Sequence, residues 1–387
     1  MRFLATVAKG LEEVVADELR ALGARKSTVS PGLVAFEGDM ALAQRACLHL
    51  RAARRVLMPL GAFDAADADA LYEGAAALPW HEVVDPDGTF AVEASIKDSA
   101  FHHSGFVALK VKDAVADCMR RRTGRRPDVD RKDPATRVVL HVNRGRAEVS
   151  VDLSGGPLHK RGYRERHVAA PLNETLAAGI LLLLGYDGER PFADPFCGSG
   201  TFAVEAALIA CRIPPGLLRG TPFGFERLPG FKRAPWKEAL ESARAGLREP
   251  PHAIAASDRD GSAVRAAEAN AAAAGVQEAV KVKRQDALAF APPRGAEGGL
   301  VVSNLPYGDH AGEGEDLAAV YKGFGDALKA NCAGWTAAIL TGAPALAKTV
   351  GLHPARRVPL WNGPVECRLL VYELYKGSKK PAADAEA

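Results

Sequence analysis

The sequence predicts an α/β fold, with a doubly wound parallel sheet in the second half of the chain and a smaller α+β region before it. Two observations carry this prediction. From Phe192 onward, short apolar runs alternate with alanine-rich helical segments, as in parallel strands joined by crossover helices. The first of these runs ends in Asp194 and leads into a glycine-rich turn, the place where such sheets bind ligands.

Residues 1–57 are predicted to form a first, small α+β domain. The run Phe3–Val7 is apolar enough for a strand, and residues 10–22 carry apolar side chains near helical spacing. Gly23 ends this helix. Further strands are predicted within 29–36, and a second helix over 41–50.

Residues 58–154 are predicted to form a second α+β domain. Its strands are predicted over 89–96, 138–143 and 147–153, and its helix over 107–122. Basic residues at the end of this helix suit the negative end of the helix dipole, and Gly124 stops it.

The polar, basic segment 155–170 is predicted to be an interdomain linker, and residues 171–376 the α/β domain, which begins with a helix over 171–184. The predicted strands of this domain are 192–194, 253–258, 280–284, 300–304, 336–341 and 369–374. Its other predicted helices are 201–211, 235–246, 260–274, 316–331 and 343–350. The tail 377–387 is predicted to be disordered.

The composition is that of an ordinary globular protein. Of the 387 residues, 48% are hydrophobic and 25% charged. No apolar run approaches the roughly 18 residues that a membrane span needs, so we expect a cytoplasmic protein without membrane association. The six cysteines include no C-x-x-C pair, so no metal site is predicted. We expect a monomer.

Positive charge is concentrated between Lys97 and Arg166, which together hold 17 Lys and Arg against nine Asp and Glu. This segment is therefore net +8, whereas the whole chain is net +3. Such asymmetry indicates a polyanionic partner. A solvated basic surface without a partner would give the same count.

The segment Asp194–Thr201 has the features of a cofactor-binding turn. Gly198 and Gly200 allow the backbone to approach a ligand closely, and the helix that follows offers free N–H groups. No Lys-Ser/Thr pair follows, so a phosphate-gripping P-loop is excluded. The next predicted strand ends in Asp258, which makes Arg212–Pro250 an insertion or a lengthened crossover.

Two further carboxylates follow strands of the same sheet. Asp258 is placed to accept hydrogen bonds from ribose hydroxyls, and Asp286 to accept one from an adenine amino group. Each would equally serve as a helix cap, because Asp is a favoured N-cap residue.

The segment Asn304-Leu305-Pro306-Tyr307 has the features of a clamp for a flat, amino-bearing substrate. An exocyclic amine on a nucleobase is a poor nucleophile, and an Asn oxygen with a backbone carbonyl can orient its lone pair. Pro306 stiffens the loop, and Tyr307 can stack on a base. Together with the glycine-rich turn, this clamp indicates methylation of an exocyclic nitrogen. A plain Pro-Tyr-Gly turn after a strand is the alternative.

These segments resemble the THUMP-domain RNA guanine-N2 methyltransferases. The similarity covers nearly the whole chain. Its motifs are Leu153–Arg164 between THUMP and catalytic domain, Ala170–Ala178 before the glycine-rich turn, Asp194–Ala207 at that turn, and Asn304–Gly308 with Leu317 and Tyr321. Ile213–Gly216 is most like the branch that acts on bacterial large-subunit rRNA. Leu305 departs from that branch, which has Pro there, whereas transfer-RNA members can carry Leu.

The resemblance implies a Rossmann-like methyltransferase domain that uses S-adenosylmethionine, behind a ferredoxin-like plus THUMP module that binds RNA. It implies catalysis by Asn304, Pro306 and Tyr307. The implied cofactor-binding residues are Asn173, Asp194, Phe196, Gly198, Ser199, Gly200, Thr201, Asp258, Asp286 and Asn304. The expected phosphate contacts are Lys110, Lys112, Arg120, Arg121, Arg122, Arg125, Arg126, Lys160 and Arg161.

Three other functions stay open at the level of sequence. The first is guanine-N2 methylation of tRNA instead of 23S rRNA. The second is methylation of adenine N6 or of a protein amide, since an Asn-x-Pro-Tyr loop can serve those acceptors. The third is RNA binding without catalysis.

Overall fold

The computed structural model describes residues 1–165, 172–307 and 316–375. They divide into two units, each of which is described by itself. Unit 1 comprises Met1–Ala8, Glu12–Lys160 and Pro214–Ala245, and unit 2 comprises Lys9–Leu11, Arg161–Ile213 and the chain from Gly246 onward. Residues 166–170 of the predicted linker and the predicted tail 377–387 lie outside the described residues.

Unit 1 is built on one continuous sheet. The elements of its main segment are β1 (Arg2–Val7), α1 (Glu12–Ala21), β2 (Ser27–Ser30), β3 (Leu33–Glu37), α2 (Met40–His49), β4 (Ala53–Asp64), α3 (Ala68–Ala76), β5 (Thr89–Lys97), α4 (Ser104–Thr123), β6 (Asp128–Val129), β7 (Thr136–Asn143) and β8 (Arg146–Asp152). The strand order is β2-β3-β1-β4-β8-β7-β5-β6.

The long strand β4 crosses the predicted boundary between residues 57 and 58. Its first half pairs with β1 and its second half with β8, with a register shift between Pro59 and Gly61. The two predicted N-terminal domains therefore share one sheet. The core beside this sheet contains Trp80, Phe90, Val111 and Leu140, all fully buried.

Unit 2 is a seven-stranded sheet between helices. In chain order its elements are α5 (Glu174–Leu183), β9 (Phe192–Asp194), α6 (Thr201–Ala210), then, after α7 (Arg233–Ala245) of unit 1, β10 (Ile254–Asp258), α8 (Gly261–Ala273), β11 (Val280–Arg284), β12 (Leu300–Asn304), α9 (Leu317–Asn331), β13 (Thr336–Thr341), α10 (Pro344–Ala347), β14 (Arg356–Asn362) and β15 (Val365–Glu373). The strand order is β11-β10-β9-β12-β13-β15-β14.

This topology confirms the predicted α/β class with a doubly wound sheet, with one difference. Strands β9 to β13 are parallel, but β15 runs antiparallel to both β13 and β14. The hairpin turn between β14 and β15 imposes this direction, and Gly363 adopts a left-handed φ of 62° in it. The sequence analysis did not predict β14, because residues 356–362 lack a clear apolar alternation, and Leu360 is the one residue of the strand that is buried.

The long segment between α6 and β10 packs with unit 1. Phe223 and Phe225 stack at 5.4 Å, and Trp236 of α7 meets Phe225 edge-on at 4.9 Å. The Arg227 guanidinium donates to Asp133, at 2.8 and 3.0 Å. The predicted insertion is thus an excursion of the chain into the N-terminal unit. Among the described residues, no helix is both long and apolar enough to cross a membrane.

Candidate active site

The candidate site lies at the carboxyl ends of neighbouring parallel strands in unit 2. Strand β9 ends in Asp194, β10 in Asp258 and β12 in Asn304, while Asp286 follows β11 by two residues. Because these strands are parallel and adjacent, their ends meet at one edge of the sheet. The fold brings together the residues that the sequence analysis selected for cofactor and for acceptor.

The glycine-rich turn between β9 and α6 requires its glycines. Gly198 and Gly200 have φ values of 52° and 81°, a left-handed conformation that other residues rarely adopt. A Cβ on Gly200 would approach the Cβ of Ala267 to 2.9 Å, whereas the space beside Gly198 is open. Gly200 therefore allows α6 and α8 to pack, and Gly198 leaves its backbone accessible at the start of a helix.

Asp258 and Asp194 fix this turn from two sides. The backbone N–H of Gly198 donates to Asp258 Oδ2 at 3.0 Å, and that of Phe196 donates to Asp194 Oδ1 at 3.2 Å. The Ser303 hydroxyl also donates to Asp194 Oδ1, at 2.8 Å. Asp194 is only 2% exposed, so its carboxyl holds the turn and the end of β12 together from inside the fold.

Burial has a strong effect on the acidity of Asp194. The pKa of this carboxyl is raised from 3.8 to about 7, mainly by desolvation and to a smaller extent by the nearby charge of Asp258. The hydrogen bonds from Ser303 and Phe196 oppose the shift. The protonation state of Asp194 therefore changes near neutral pH.

Asn173 and Asp286 both act as caps. Asn173 Oδ1 accepts hydrogen bonds from the backbone N–H groups of Thr175 and Leu176 at the start of α5. Asp286 is exposed, and its Oδ1 accepts from the Leu288 N–H at 2.9 Å. Asp286 therefore has the capping role that the sequence analysis gave as an alternative to cofactor binding. The amide nitrogen of Asn173 and the second carboxylate oxygen of Asp286 are not used by these caps.

The asparagine at the end of β12 has a buried side-chain oxygen that could accept a further hydrogen bond. Asn304 Oδ1 is buried and has no hydrogen-bond donor within residues 1–165, 172–307 and 316–375. An unsatisfied buried oxygen costs about 1–3 kcal/mol. Such a group is typical of a site whose donor arrives with a ligand.

Backbone and side-chain contacts fix the rest of this loop. The Leu305 N–H donates to the Leu340 carbonyl at 3.1 Å, and the Tyr321 hydroxyl donates to the Pro306 carbonyl at 3.1 Å. The Tyr307 hydroxyl lies 3.6 Å from Cys367 Sγ. Burial raises the pKa of Tyr307 to about 12, so this ring stays neutral at physiological pH. Gly308, the last residue of the predicted motif, lies outside the described residues.

The basic residues predicted to contact phosphates, apart from Arg161, fall into two groups. Arg121, Arg122, Arg126 and Lys160 are exposed, and the first three pair with no carboxylate in the described part of the chain. Four others already have acidic partners, namely Lys110 with Asp69, Lys112 with Asp113, Arg120 with Asp117 and Arg125 with Asp87.

The prediction that Arg161 contacts RNA is wrong in this structure. Its side chain is 2% exposed and its Nε lies 3.5 Å from Oε1 of the buried Glu205. The Tyr163 hydroxyl donates to the same oxygen at 3.0 Å. A guanidinium buried in such a pair is not available to a phosphate.

The sequence analysis missed several residues that shape the site. Ser303 and Tyr321 hold Asp194 and the acceptor loop, as described above. Arg164 bonds to Ser199 and Thr201 of the glycine-rich turn. The Asn362 side chain accepts from the Asn173 N–H at 3.4 Å, which brings the β14–β15 hairpin beside α5. Only Arg164 and Tyr321 had a sequence signal, because both stand in segments that resemble the family.

A separate cleft of about 770 Å³ lies beside β10 and β11. Its lining includes Asp194, Ser257, Lys283 and Phe290, but not the glycines of the turn, Asp258 or Asn304. The cleft therefore shares Asp194 with the candidate site but is not lined by the glycine-rich turn or the acceptor loop. No group of three or more His, Cys, Asp and Glu side chains suited to a metal ion occurs among the described residues.

Comparison with family models matches three consecutive parts of the chain. Residues 2–57 match the RlmL ferredoxin-like domain, residues 65–152 the THUMP domain, and residues 161–370 the RMKL-like methyltransferase domain. The chain belongs to the RMKL-like methyltransferase family. The family resemblance and the ferredoxin-like plus THUMP module expected from the sequence are confirmed.

Two curated relatives of this RMKL-like chain carry the same name. The proteins named Ribosomal RNA large subunit methyltransferase K/L from Syntrophotalea carbinolica and Pseudomonas aeruginosa are 44% and 40% identical to it. The matches cover 97% and 95% of this chain but 54% and 52% of those proteins. The chain thus spans about half the length of these relatives.

Solved structures similar to this RMKL-like chain match it along nearly its whole length. SMU.472, crystallised in complex with SAH, is 29% identical with a TM-score of 0.87, over 98% of this chain and 99% of its own. A predicted N6-adenine-specific DNA methylase from Listeria monocytogenes is 30% identical with a TM-score of 0.85, over 96% of each chain. TrmN from Thermus thermophilus is 25% identical with a TM-score of 0.69, over 96% of this chain and 99% of its own.

Proposed function

We propose that this chain transfers a methyl group from S-adenosylmethionine to the exocyclic N2 amine of a guanosine in 23S ribosomal RNA. One observation carries the chemical part of the proposal. At the end of β12, beside the glycine-rich turn, the buried Oδ1 of Asn304 has no donor among the described residues. A primary amine on a base supplies that donor.

The proposed RNA rests on the relatives. Proteins named for methylation of large-subunit ribosomal RNA are 40–44% identical to almost all of this chain. The THUMP match, residues 65–152, overlaps the basic segment Lys97–Arg166. We take residues 1–154 as the RNA-binding part and residues 171–376 as the catalytic part. The proposal includes a cytoplasmic location, a single chain as the active unit and no requirement for a metal ion.

The residues at the turn fit S-adenosylmethionine. The left-handed Gly198 has open space where a side chain would stand, so a ligand has access to the backbone at the start of α6. Asp258 and Asp286 would accept hydrogen bonds from ribose hydroxyls and an adenine amine, and Asn173 at the start of α5 is a further candidate contact. When bound, this cofactor supplies a methyl group on a positively charged sulfur.

The acceptor loop would orient the amine. Asn304 Oδ1 and a loop carbonyl would accept its two hydrogens and direct its lone pair. Tyr307 is neutral and would stack on the base, which must leave its helix to reach the loop. No strong base is needed, because the methyl group is already electrophilic. The hydrogen bond from Ser303 to Asp194 would fix the position of the acceptor loop relative to the glycine-rich turn.

Guanosine in tRNA is the second candidate substrate, and one residue favours it. Leu305 stands where the ribosomal branch of the family has Pro. This side chain is fully buried, so it acts on the backbone of the loop and not by touching the base. Methylation of adenine N6 is the third candidate, since one similar structure bears that name.

The test is incubation of the purified chain with methyl-labelled S-adenosylmethionine and total RNA, followed by digestion to nucleosides. We expect N2-methylguanosine, with the label in 23S rRNA. Label in the tRNA fraction would favour the second candidate. N6-methyladenosine, or label that survives RNase treatment, would reject the guanine assignment.

A further inference from the structure

Arg164 stands at the start of unit 2 and is nearly buried, with 12% of its side chain exposed. Its Nε donates to Glu174 Oε1 at 2.7 Å, and its Nη2 donates to the Leu172 carbonyl at 2.9 Å. Its Nη1 donates to Ser199 Oγ, and its Nη2 to Thr201 Oγ1, both at 3.2 Å. One guanidinium thus joins the start of α5 to the glycine-rich turn.

The chemistry of arginine makes this junction rigid. Its guanidinium is planar, always charged and carries five donors in a fixed fork. Four acceptors on two segments therefore take a fixed mutual geometry. A lysine would keep the charge beside Glu174, but its three donors at one point cannot reach all four acceptors.

The residue after Arg164 reaches the same turn by another route. The Glu165 N–H donates to Asn270 Oδ1 at 3.0 Å, and the Asn270 amide donates to the Ser199 carbonyl at 2.9 Å. Asn270 lies in α8 and is 1% exposed. Ser199 is therefore held at its hydroxyl by Arg164 and at its carbonyl by Asn270.

We propose that Arg164 is a positioning residue for the methyl donor. It holds the glycine-rich turn against the start of α5, and these are two of the segments that the proposed function assigns to S-adenosylmethionine. The inference rests on that function. It gives Arg164 and Glu165 a role in donor binding, close in the chain to Arg161, for which the sequence indicated an RNA contact.

The first test is the affinity for S-adenosylmethionine, measured by isothermal titration calorimetry without RNA. Arg164→Lys keeps the charge beside Glu174 and loses the fork, so we expect the Kd to rise about tenfold, the loss typical of hydrogen bonds to a charged group. Arg248→Lys is the matched control, because Arg248 pairs with Glu189 and bonds the Ala210 carbonyl away from the turn. We expect its Kd to stay within twofold of wild type.

A double-mutant cycle separates positioning from general stability. Ser199→Ala removes one acceptor of Arg164 and leaves the pair with Glu174 intact, so it tests the contact even if Arg164→Lys folds poorly. If Arg164 acts through Ser199, the Kd effect of Ser199→Ala shrinks in the Arg164→Lys background. In steady-state assays, Arg164→Lys raises KM for the donor and leaves KM for RNA unchanged.

Three results would overturn the proposal. One is a donor Kd of Arg164→Lys within twofold of wild type, with a loss of thermal stability like that of Arg248→Lys. Another is full additivity of the two substitutions in the cycle. The third is weaker RNA binding with unchanged donor binding, which would assign Arg164 to RNA binding instead. Failure of the wild-type chain to bind any donor is a distinct result, which would reject the proposed function together with this inference.

Discussion

Replacing Asp194 with Asn should stabilise the protein at alkaline pH, although the residue lies in the candidate active site. Both hydrogen bonds to Asp194 end on Oδ1, from the Ser303 hydroxyl at 2.8 Å and the Phe196 N–H at 3.2 Å. The amide oxygen of Asn can accept both. The substitution therefore removes a buried charge and keeps its contacts.

The magnitude follows from the raised pKa. Burial raises the pKa of Asp194 from 3.8 to about 7, so the folded state binds this proton more tightly than the unfolded state. The stabilisation that comes from binding this proton is complete below pH 3.8 and decreases as the pH rises from 3.8 to 7. Above pH 7 it is lost, and the stability no longer changes with pH through this group. Relative to its value below pH 3.8, the free energy of unfolding is therefore lower by at most about 1.6 kcal/mol at pH 5 and about 4 kcal/mol at pH 8, at 1.36 kcal/mol per pH unit.

The assay is urea unfolding followed by circular dichroism at pH 5, 6, 7 and 8, for wild type and Asp194→Asn. We expect the free energy of unfolding of the variant, relative to wild type, to increase by about 2.7 kcal/mol across this range, since two pH units separate pH 5 from the pKa of about 7. Asp326→Asn is the control. The pKa of this exposed carboxyl is lowered by Lys322 and Lys329, so its effect should be constant from pH 5 to 8. An equally constant effect for Asp194→Asn would refute the role assigned to burial.

Three further changes test the acceptor loop and the basic surface. In Gly342→Ala the new Cβ would stand 2.6 Å from the Tyr307 ring and displace it. We expect the methylation rate to fall at least about tenfold, with an unchanged donor affinity by calorimetry. An unchanged rate would show that the position of the ring does not matter for catalysis. Tyr321→Phe frees the loop carbonyl, so kcat should fall with KM for RNA unchanged, and a change in KM alone would contradict this. Neutralising Arg121 and Arg122 together should flatten the salt dependence of RNA binding by about one unit per lost phosphate contact, and an unchanged slope would remove them from the interface.

The sequence predicted the parallel core of unit 2 well because its signals are local. Strands β9, β10, β12 and β13 are short, mainly apolar runs, and β11 alternates valine with lysine. Each has a pattern that can be recognised within ten residues. The acceptor residues and most of the cofactor residues were selected for the same reason, since they lie at or shortly after the ends of those strands. Asn173, before α5, was selected only by the resemblance to the family.

Features that depend on distant partners were not predictable. Arg161 has the composition of an RNA contact, but its partner Glu205 is 44 residues away in the chain. The sequence predicted Arg212–Pro250 as an insertion or a lengthened crossover, and it is contacts with distant residues, such as those of Arg227 with Asp133, that show Pro214–Ala245 to belong to unit 1. Strand β4 spans a predicted domain boundary because its two halves pair with different strands.

The central claim is that Asn304 orients a guanosine amine of large-subunit RNA for methylation. Its most direct test is to delete the gene, map modified guanosines in the 23S rRNA by mass spectrometry, and complement with wild type, Asn304→Ala or Asn304→Asp. We predict that one N2-methylguanosine disappears on deletion, returns with wild type and stays absent with Asn304→Ala. Full modification in the Asn304→Ala strain, or no change in 23S rRNA on deletion, would contradict the account.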